Sequence, residues 1–176
     1  FMAEGIVPLL VRILQPSHLQ ELAAWPRDAG GDIEACASLI RHCTALLRIL
    51  IDLDGIQDEA LCRRMRRTLY EHQVVLSLLK VISVLTHFKV ANRRWLPEVA
   101  APVVAVLSRM VLGLSHFGKQ FVAGDGLGAM NQARLLARDM PTKLLSDAVL
   151  LINQLARTSE EHYPYIQQAQ VLPNLA

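Results

Sequence analysis

The most regular stretch of the chain covers residues 33–53 and reads IEACASLIRHCTALLRILIDL. Apolar side chains recur along it at steps of three and four residues, and polar or charged side chains recur with the same period. This spacing is typical of an α-helix that buries one face and exposes the other. The residues predicted to face the core are Ala37, Ile40, Cys43, Leu47 and Leu50, whereas Glu34, Ser38, Arg41, Arg48 and Asp52 are predicted to face solvent.

Two later stretches, residues 98–115 and 143–157, have the same helical period. The segments between the three stretches contain no alternating runs of Val, Ile and Thr, which favours helix over strand. The sequence therefore predicts an all-α protein without a sheet. In the last stretch, Leu144, Ala148, Leu151 and Leu155 are predicted to face inward, with Lys143, Asp147, Gln154 and Arg157 on the opposite side.

Length and composition predict one domain over residues 1–176, because 52% of the residues are hydrophobic and only 19% are charged. The net charge of +2 is too small to indicate a nucleic-acid-binding protein by itself. The three cysteines form no CxxC pair, which favours a reducing, intracellular location. The longest uncharged apolar run, residues 99–108, is well short of the roughly 20 residues that cross a bilayer, so no membrane contact is expected.

One pattern of apolar residues recurs around four positions, Pro8, Leu76, Gly128 and Pro173. Each has an apolar residue seven positions before it, one before it and two after it. The intervals are 68, 52 and 45 residues, and the first two are long enough to contain an interruption. Proline and glycine predict an insertion loop over about residues 16–31, with a short helical segment at residues 18–25. Polar residues between two apolar helices predict an extended connection over about residues 86–97.

Three segments resemble the armadillo repeat family, whose second helix begins with an apolar residue and a proline after an Ala-Gly or Glu-Gly turn. They are FMAEGIVPLL at residues 1–10, FVAGDGLGAM at residues 121–130, and residues 166–175. Leu76 and Gly128 stand where the family has proline. The resemblance implies a right-handed α-solenoid of armadillo/HEAT-like repeats, which are about 40–47 residues long. It also implies that both ends of the chain lie within a longer array.

In this family the third helix of each repeat lines a groove for peptides or partner domains, which implies a protein-interaction scaffold rather than an enzyme. Members that bind nuclear-import peptides carry an asparagine near the end of each third helix. The matching positions here are Ile49, Gly113 and Gln154, so that mechanism is not expected. Such arrays occur in cytoskeletal, ciliary and kinase-associated proteins, which implies a cytoplasmic or cytoskeletal location. The candidate partner-binding residues are Arg41, Arg48, Arg109, Asp147, Gln154 and Arg157.

A second candidate site is the arginine cluster at residues 63–67, RRMRR. Clustered guanidinium groups bind carboxylates or phosphates, which would suit an acidic protein partner or a nucleic acid. The same pattern fits a solvated helix face with Leu61, Met65 and Leu69 packed inward at steps of four residues. The cluster consists of Arg63, Arg64, Arg66 and Arg67.

Two further segments each have two interpretations. Residues 124–128, GDGLG, allow a phosphate-binding loop or an interhelical turn, and the turn is favoured because no strand precedes the segment. Residues 163–165, YPY, allow a hook that binds a partner or the start of a helix.

The histidines and cysteines form no pair at metal-ligand spacing, so we expect no metal ion, cofactor or catalytic residue.

The predicted repeat array leaves apolar side chains uncovered at both ends of the chain. They lie near Ile6, Val7 and Leu10 at one end and near Leu172 and Leu175 at the other. We therefore expect homodimers that form by end-stacking or by exchange of terminal helices.

Overall fold

The computed structural model describes residues 2–52, 58–87, 95–113 and 115–169. Within these ranges the chain forms ten α-helices, two short 3₁₀ helices and no β-strand. The prediction of an all-α protein is therefore confirmed. The α-helices are α1 (Met2–Ile13), α2 (Pro16–Ala24), α3 (Ile33–Ile51), α4 (Glu59–Glu71), α5 (Val74–His87), α6 (Trp95–Gly113), α7 (Ser115–Ala123), α8 (Gly126–Gln132), α9 (Thr142–Thr158) and α10 (Tyr163–Gln168).

Several of the helices that lie three apart along the chain pack against each other. In this way α1 contacts α4, α2 contacts α5, and α5 contacts α8. The most extensive helix contacts among the described residues are those of α3 with α6 and of α6 with α9. Helix α6 lies between α3 and α9, and it also contacts α5 and α7.

The buried faces of the long helices follow the predicted helical period. In α3, all five residues predicted to face the core are buried or partly buried. In α9, all four residues predicted to face inward are buried. The helices predicted over residues 98–115 and 143–157 correspond to α6 and α9, with ends that differ by at most three residues.

Aspartate side chains mark where two of the helices begin. Asp32 precedes α3, and its Oδ1 accepts a hydrogen bond of 2.8 Å from the main-chain N–H of Ala35. Asp58 precedes α4 and accepts from the N–H groups of Ala60 and Leu61. These caps satisfy donors that have no partner within the first helical turn, and each contributes about 1 kcal/mol.

Within the predicted insertion loop over residues 16–31, the short helical segment expected at residues 18–25 is present, and it begins two residues earlier than expected. Helix α2 occupies Pro16–Ala24, because proline is tolerated in the first turn of a helix and here begins one. A 3₁₀ helix follows over Arg27–Ala29. Gly31 then approaches Trp25 closely, and a Cβ added at Gly31 would clash with both the main chain and the side chain of Trp25. The turn is therefore confined to the second half of the predicted loop.

The expected extended connection over residues 86–97 lies mostly outside the described residues, which stop at His87 and resume at Trp95. At both edges of this gap the chain is helical. His87 is the last residue of α5, and Trp95 is the first residue of α6.

The structure differs from the predicted register at Pro8. Leu76 lies in α5 and Gly128 lies in α8, and these two helices contact each other, as expected of equivalent positions. Pro8, however, lies in α1, which packs mainly against α4, whereas α2 is the helix beside α5. Apolar spacing did not distinguish α1 from α2, because each has an apolar side that faces the core. Pro173 lies outside the described residues.

The expected exposure of apolar residues at the N-terminal end is mostly wrong. Val7 and Leu10 are buried, while Ile6 is 36% exposed. The reason is that α1 packs against α3, α4 and α5 of the same chain. Leu172 and Leu175 lie outside the described residues, so self-association through the chain ends stays a prediction.

No single helix in the described ranges is long and apolar enough to cross a membrane. Only α4 and α5 taken together reach that length and composition, and they are bent by 47° relative to each other. Most apolar residues of α5 are buried in the core, which accounts for the high hydrophobicity of this pair.

We expect Leu107→Ala to lower the free energy of unfolding by about 2–5 kcal/mol, because it removes a side chain of α6 that is fully buried and leaves a cavity. Leu112→Ala on the same helix is the matched control. That side chain is 49% exposed, so its loss should cost less than about 1 kcal/mol. Urea unfolding followed by circular dichroism measures both values, and equal losses would contradict the packing described for α6.

Candidate functional site

Two ion pairs join the exposed sides of α3 and α6. Arg109 Nη2 lies 3.0 Å from Asp52 Oδ1, and Arg41 Nη1 lies 3.9 Å from Glu98 Oε2. Both pairs link residues 57 positions apart, so α3 and α6 run parallel with a constant register. Exposed ion pairs contribute only about 0–1 kcal/mol each to stability. Their main consequence here is that two of the candidate partner-binding arginines are already paired with carboxylates.

Arg48 differs from these two arginines. It lies on the same side of α3, about two turns after Arg41 and one turn before Asp52, and it is exposed. The 57-residue offset places Ala105 of α6 next to it, and alanine offers no charge. No described residue forms an ion pair with Arg48, so its guanidinium is available to an external group.

The candidate residues on α9 have three different environments. Asp147 is partly buried, and its Oδ2 is a buried atom without a hydrogen-bond partner. Gln154 is partly buried, and its main-chain oxygen accepts a hydrogen bond of 2.6 Å from the Thr158 hydroxyl. Arg157 is exposed near the end of the helix. Asp147 is therefore the residue whose hydrogen bonding is incomplete.

Large apolar side chains are exposed on the same three helices. Ile49 on α3, Leu112 on α6 and Leu150 on α9 are all exposed. Because α6 packs between α3 and α9, and each helix buries its opposite side in the core, we treat their outer sides as one surface, the α3–α6–α9 face. Its side chains include Arg41, Arg48, Ile49, Asp52, Glu98, Arg109, Leu112, Asp147, Leu150, Gln154 and Arg157.

The apolar part of this face and the acids that pair with its arginines were not predicted from the sequence. One signal was available, because residues 46–51 read LLRILI and contain more apolar side chains than a single buried stripe requires. The pairing of Asp52 with Arg109 had no such signal. It depends on the register between two helices that are distant in sequence.

The second candidate site, on α4, is exposed as predicted, but its buried side is different. Leu61 was predicted to face inward and is instead 37% exposed, which is a correction. Cys62, Met65 and Leu69 form the buried side, at steps of three and four residues. The four arginines of the cluster occupy the remaining circumference and are all exposed.

Several of these arginine side chains interact within α4. Arg67 Nε donates a hydrogen bond of 2.7 Å to Glu71 Oε1, and this bond, with the charge of Glu71, raises the pKa of Arg67. Arg63 Nε donates to the main-chain oxygen of Glu59. An open recess of about 350 Å³ beside them is lined by Arg64, Arg67, Thr68, Glu71 and His72. Glu71 offsets part of the positive charge there, which weakens the case for a phosphate site.

The GDGLG segment forms the turn between α7 and α8 and the start of α8, and four of its five main-chain N–H groups already donate hydrogen bonds. The N–H of Leu127 donates a hydrogen bond of 2.6 Å to the Tyr165 hydroxyl, and Asp125 Oδ1 accepts from the N–H of Gly128. Gly126 packs against the Phe121 ring, where an added Cβ would clash. These contacts favour the turn interpretation over a phosphate-binding loop.

Tyr165 also bears on the YPY segment. Burial raises the pKa of its hydroxyl, which therefore stays protonated, and the hydroxyl lies 3.4 Å from Asp125 Oδ1. Tyr163 is exposed, but Tyr165 ties α10 to the start of α8. The segment begins α10 at Tyr163, which supports the helix-start interpretation over the hook.

The described residues contain no arrangement typical of an active site. Burial raises the pKa of the Cys36 thiol to about 11 and also raises that of Cys43, so both thiols are protonated and unreactive at neutral pH. No three His, Cys, Asp or Glu side chains in these ranges are placed to hold a metal ion. His162 is buried, and its Nδ1 lies 3.0 Å from the main-chain oxygen of Leu155, which fits a structural role.

Comparisons with known proteins give no match. No protein-family model, no curated protein and no solved structure matches the chain. The resemblance to armadillo repeats therefore stays a prediction from the sequence. Any function proposed for the chain rests on the geometry of its surfaces.

We expect Tyr165→Phe to lower the free energy of unfolding by about 1–3 kcal/mol, because it leaves the N–H of Leu127 without its acceptor. Tyr163→Phe removes the same hydroxyl from an exposed position two residues earlier and should change stability by less than about 0.5 kcal/mol. Chemical unfolding of both variants measures the difference. If Tyr165→Phe leaves the free energy of unfolding unchanged, the contact between α8 and α10 does not depend on this hydrogen bond.

Proposed function

We propose that the chain is a divergent α-solenoid of armadillo/HEAT-like repeats that acts as a protein-interaction scaffold. The observation that carries the proposal is the side-by-side packing of α3, α6 and α9, which leaves one exposed face with both charged and apolar side chains. A partner protein or peptide would lie across this face. The chain would then contribute a fixed surface and no chemistry of its own.

The repeat architecture is supported by the packing of helices three apart. If α1, α4 and α7 are first helices, then α2, α5 and α8 are second helices and α3, α6 and α9 are third helices. Each group of three then buries its apolar side against the next group, as repeat proteins do. This grouping would also explain why α3, α6 and α9 reach the same surface.

Binding to the α3–α6–α9 face combines two physical effects. Ile49, Leu112 and Leu150 would each contribute at most about 1.5–3 kcal/mol on burial, before the entropic cost of association. Arg48 and Arg157 would attract an acidic partner and orient it. Because the helices are already packed in place, the face does not need to reorganise before it binds.

The α4 cluster supports a second candidate, the binding of an acidic partner or nucleic acid. Its support is the exposure of all four arginines on one short helix. Its weakness is that Arg67 is paired with Glu71. This candidate predicts an affinity that falls steeply with salt, because each phosphate contact releases counterions.

We expect the double variant Arg48→Glu with Arg157→Glu to reduce capture of a partner from cell extract at least about tenfold, which corresponds to about 1.4 kcal/mol. Arg41 and Arg109 are left unchanged, because their substitution would disturb the ion pairs between α3 and α6. Circular dichroism checks that the variant keeps its helix content.

The matched control is Arg63→Glu with Arg66→Glu, which makes the same change of charge on α4. If this control still captures the partner while Arg48→Glu with Arg157→Glu does not, the result supports the α3–α6–α9 face as the binding surface. The opposite result favours the α4 cluster, and unchanged capture by both variants would contradict both candidates. Affinity purification followed by quantitative mass spectrometry provides the measurement.

A further inference from the structure

Arg48 on α3 and Asp147 on α9 are charged side chains of the α3–α6–α9 face that form no ion pair among the described residues, and Arg157 near the end of α9 is a third. We infer that the ligand of this face is an extended peptide segment of a partner protein that carries an acidic residue for Arg48 and a basic residue for Asp147. The inference rests on the proposed function and adds the chemistry of the partner to it.

Arg48 has no acidic partner among the described residues. The acids nearest to it along this side, Glu98 and Asp52, are already paired with Arg41 and Arg109. The position across from Arg48 on α6 is Ala105, which leaves space beside the guanidinium. Guanidinium groups bind carboxylates through two parallel hydrogen bonds, so an Asp or Glu side chain fits this space.

Asp147 calls for a donor. More than nine in ten buried polar atoms in proteins have a hydrogen-bond partner, and an unpartnered acceptor costs about 1–3 kcal/mol. The Oδ2 atom of Asp147 has none, and no ion pair joins the carboxylate to Lys143 one turn earlier. This oxygen is buried, but the side chain as a whole is only partly buried, so part of it is accessible from the face. A lysine or arginine side chain would supply both the hydrogen bond and the opposite charge.

The helix arrangement sets the distance between the two charges of the ligand. Packed helices have axes about 8–10 Å apart, and α6 separates α3 from α9, so Arg48 and Asp147 lie about two helix spacings apart, or about 16–20 Å. An extended peptide advances about 3.3 Å per residue. The acidic and basic residues of the ligand should therefore be about five or six residues apart.

The other charges on the face favour a ligand that carries both acidic and basic residues over a ligand that carries only acidic residues. Arg41 and Arg109 are neutralised by Glu98 and Asp52, so most of the basic character expected from the sequence is absent between α3 and α6. An entirely acidic peptide would also place a carboxylate near Asp147, and like charges repel at this range. Charge complementarity therefore selects one acid and one base at separate positions.

A library of random 12-residue peptides displayed on phage tests the inference. Selection against the unaltered chain should enrich peptides with an Asp or Glu and a Lys or Arg about five or six residues apart. Selection against Arg48→Gln should no longer require the acidic residue, and selection against Asp147→Asn should no longer require the basic residue. A peptide selected on the unaltered chain should bind each of these variants at least tenfold more weakly, whereas Arg48→Lys should retain most of the affinity.

The controls separate failure of this inference from failure of the proposed function. Leu112→Glu places a charge among the apolar side chains of the face and should abolish binding of every selected peptide. If peptides without the charge pair are enriched, and they lose binding only in Leu112→Glu, the inference is wrong while the face still binds peptides. If selected peptides bind equally well to Leu112→Glu, or if none is enriched, both the inference and the proposed function are contradicted.

Discussion

The packing of α6 between α3 and α9 is the contact on which the rest of the structure depends. Helix α6 is apolar around most of its circumference, and eight of its residues are buried: Val99, Ala100, Val103, Val104, Val106, Leu107, Met110 and Val111. A helix of this kind is stable only when other helices surround it. In this chain α3, α5, α7 and α9 do so, and their positions follow from the need to cover α6.

The same contact explains how a surface for binding arises. Once α6 is covered on its sides, the outer sides of α3, α6 and α9 come together although they are far apart in sequence. The ion pairs of Arg41 and Arg109 add little stability, but they require α3 and α6 to be parallel and in one register. That register decides which charges are neutralised, and it leaves Arg48 without a carboxylate partner among the described residues.

The helical period was sufficient to predict the helices α3, α6 and α9 and their buried sides, because burial of one side is a local property of the sequence. Features that depend on tertiary contacts were not predictable in this way. A short helical segment was predicted within residues 16–31, but its start at Pro16 was not, and the register predicted at Pro8 does not match the packing of α1 mainly against α4. The exposed position of Leu61 also depended on which side of α4 meets the core. The arginines and Asp147 of the candidate site were named from the sequence, but the ion pairs of Arg41 and Arg109 could not be predicted from it.

Hydroxyl-radical footprinting tests most directly whether the α3–α6–α9 face is the binding surface. The chain would be oxidised alone and with a saturating amount of a captured partner or a selected peptide, and the oxidation of each side chain would be measured by mass spectrometry. We expect protection of Ile49, Leu112 and Leu150, with no change at Leu61 and Tyr70 on α4, all of which are exposed in the free chain. Protection at Leu61 and Tyr70 without protection at Leu112 would contradict the account.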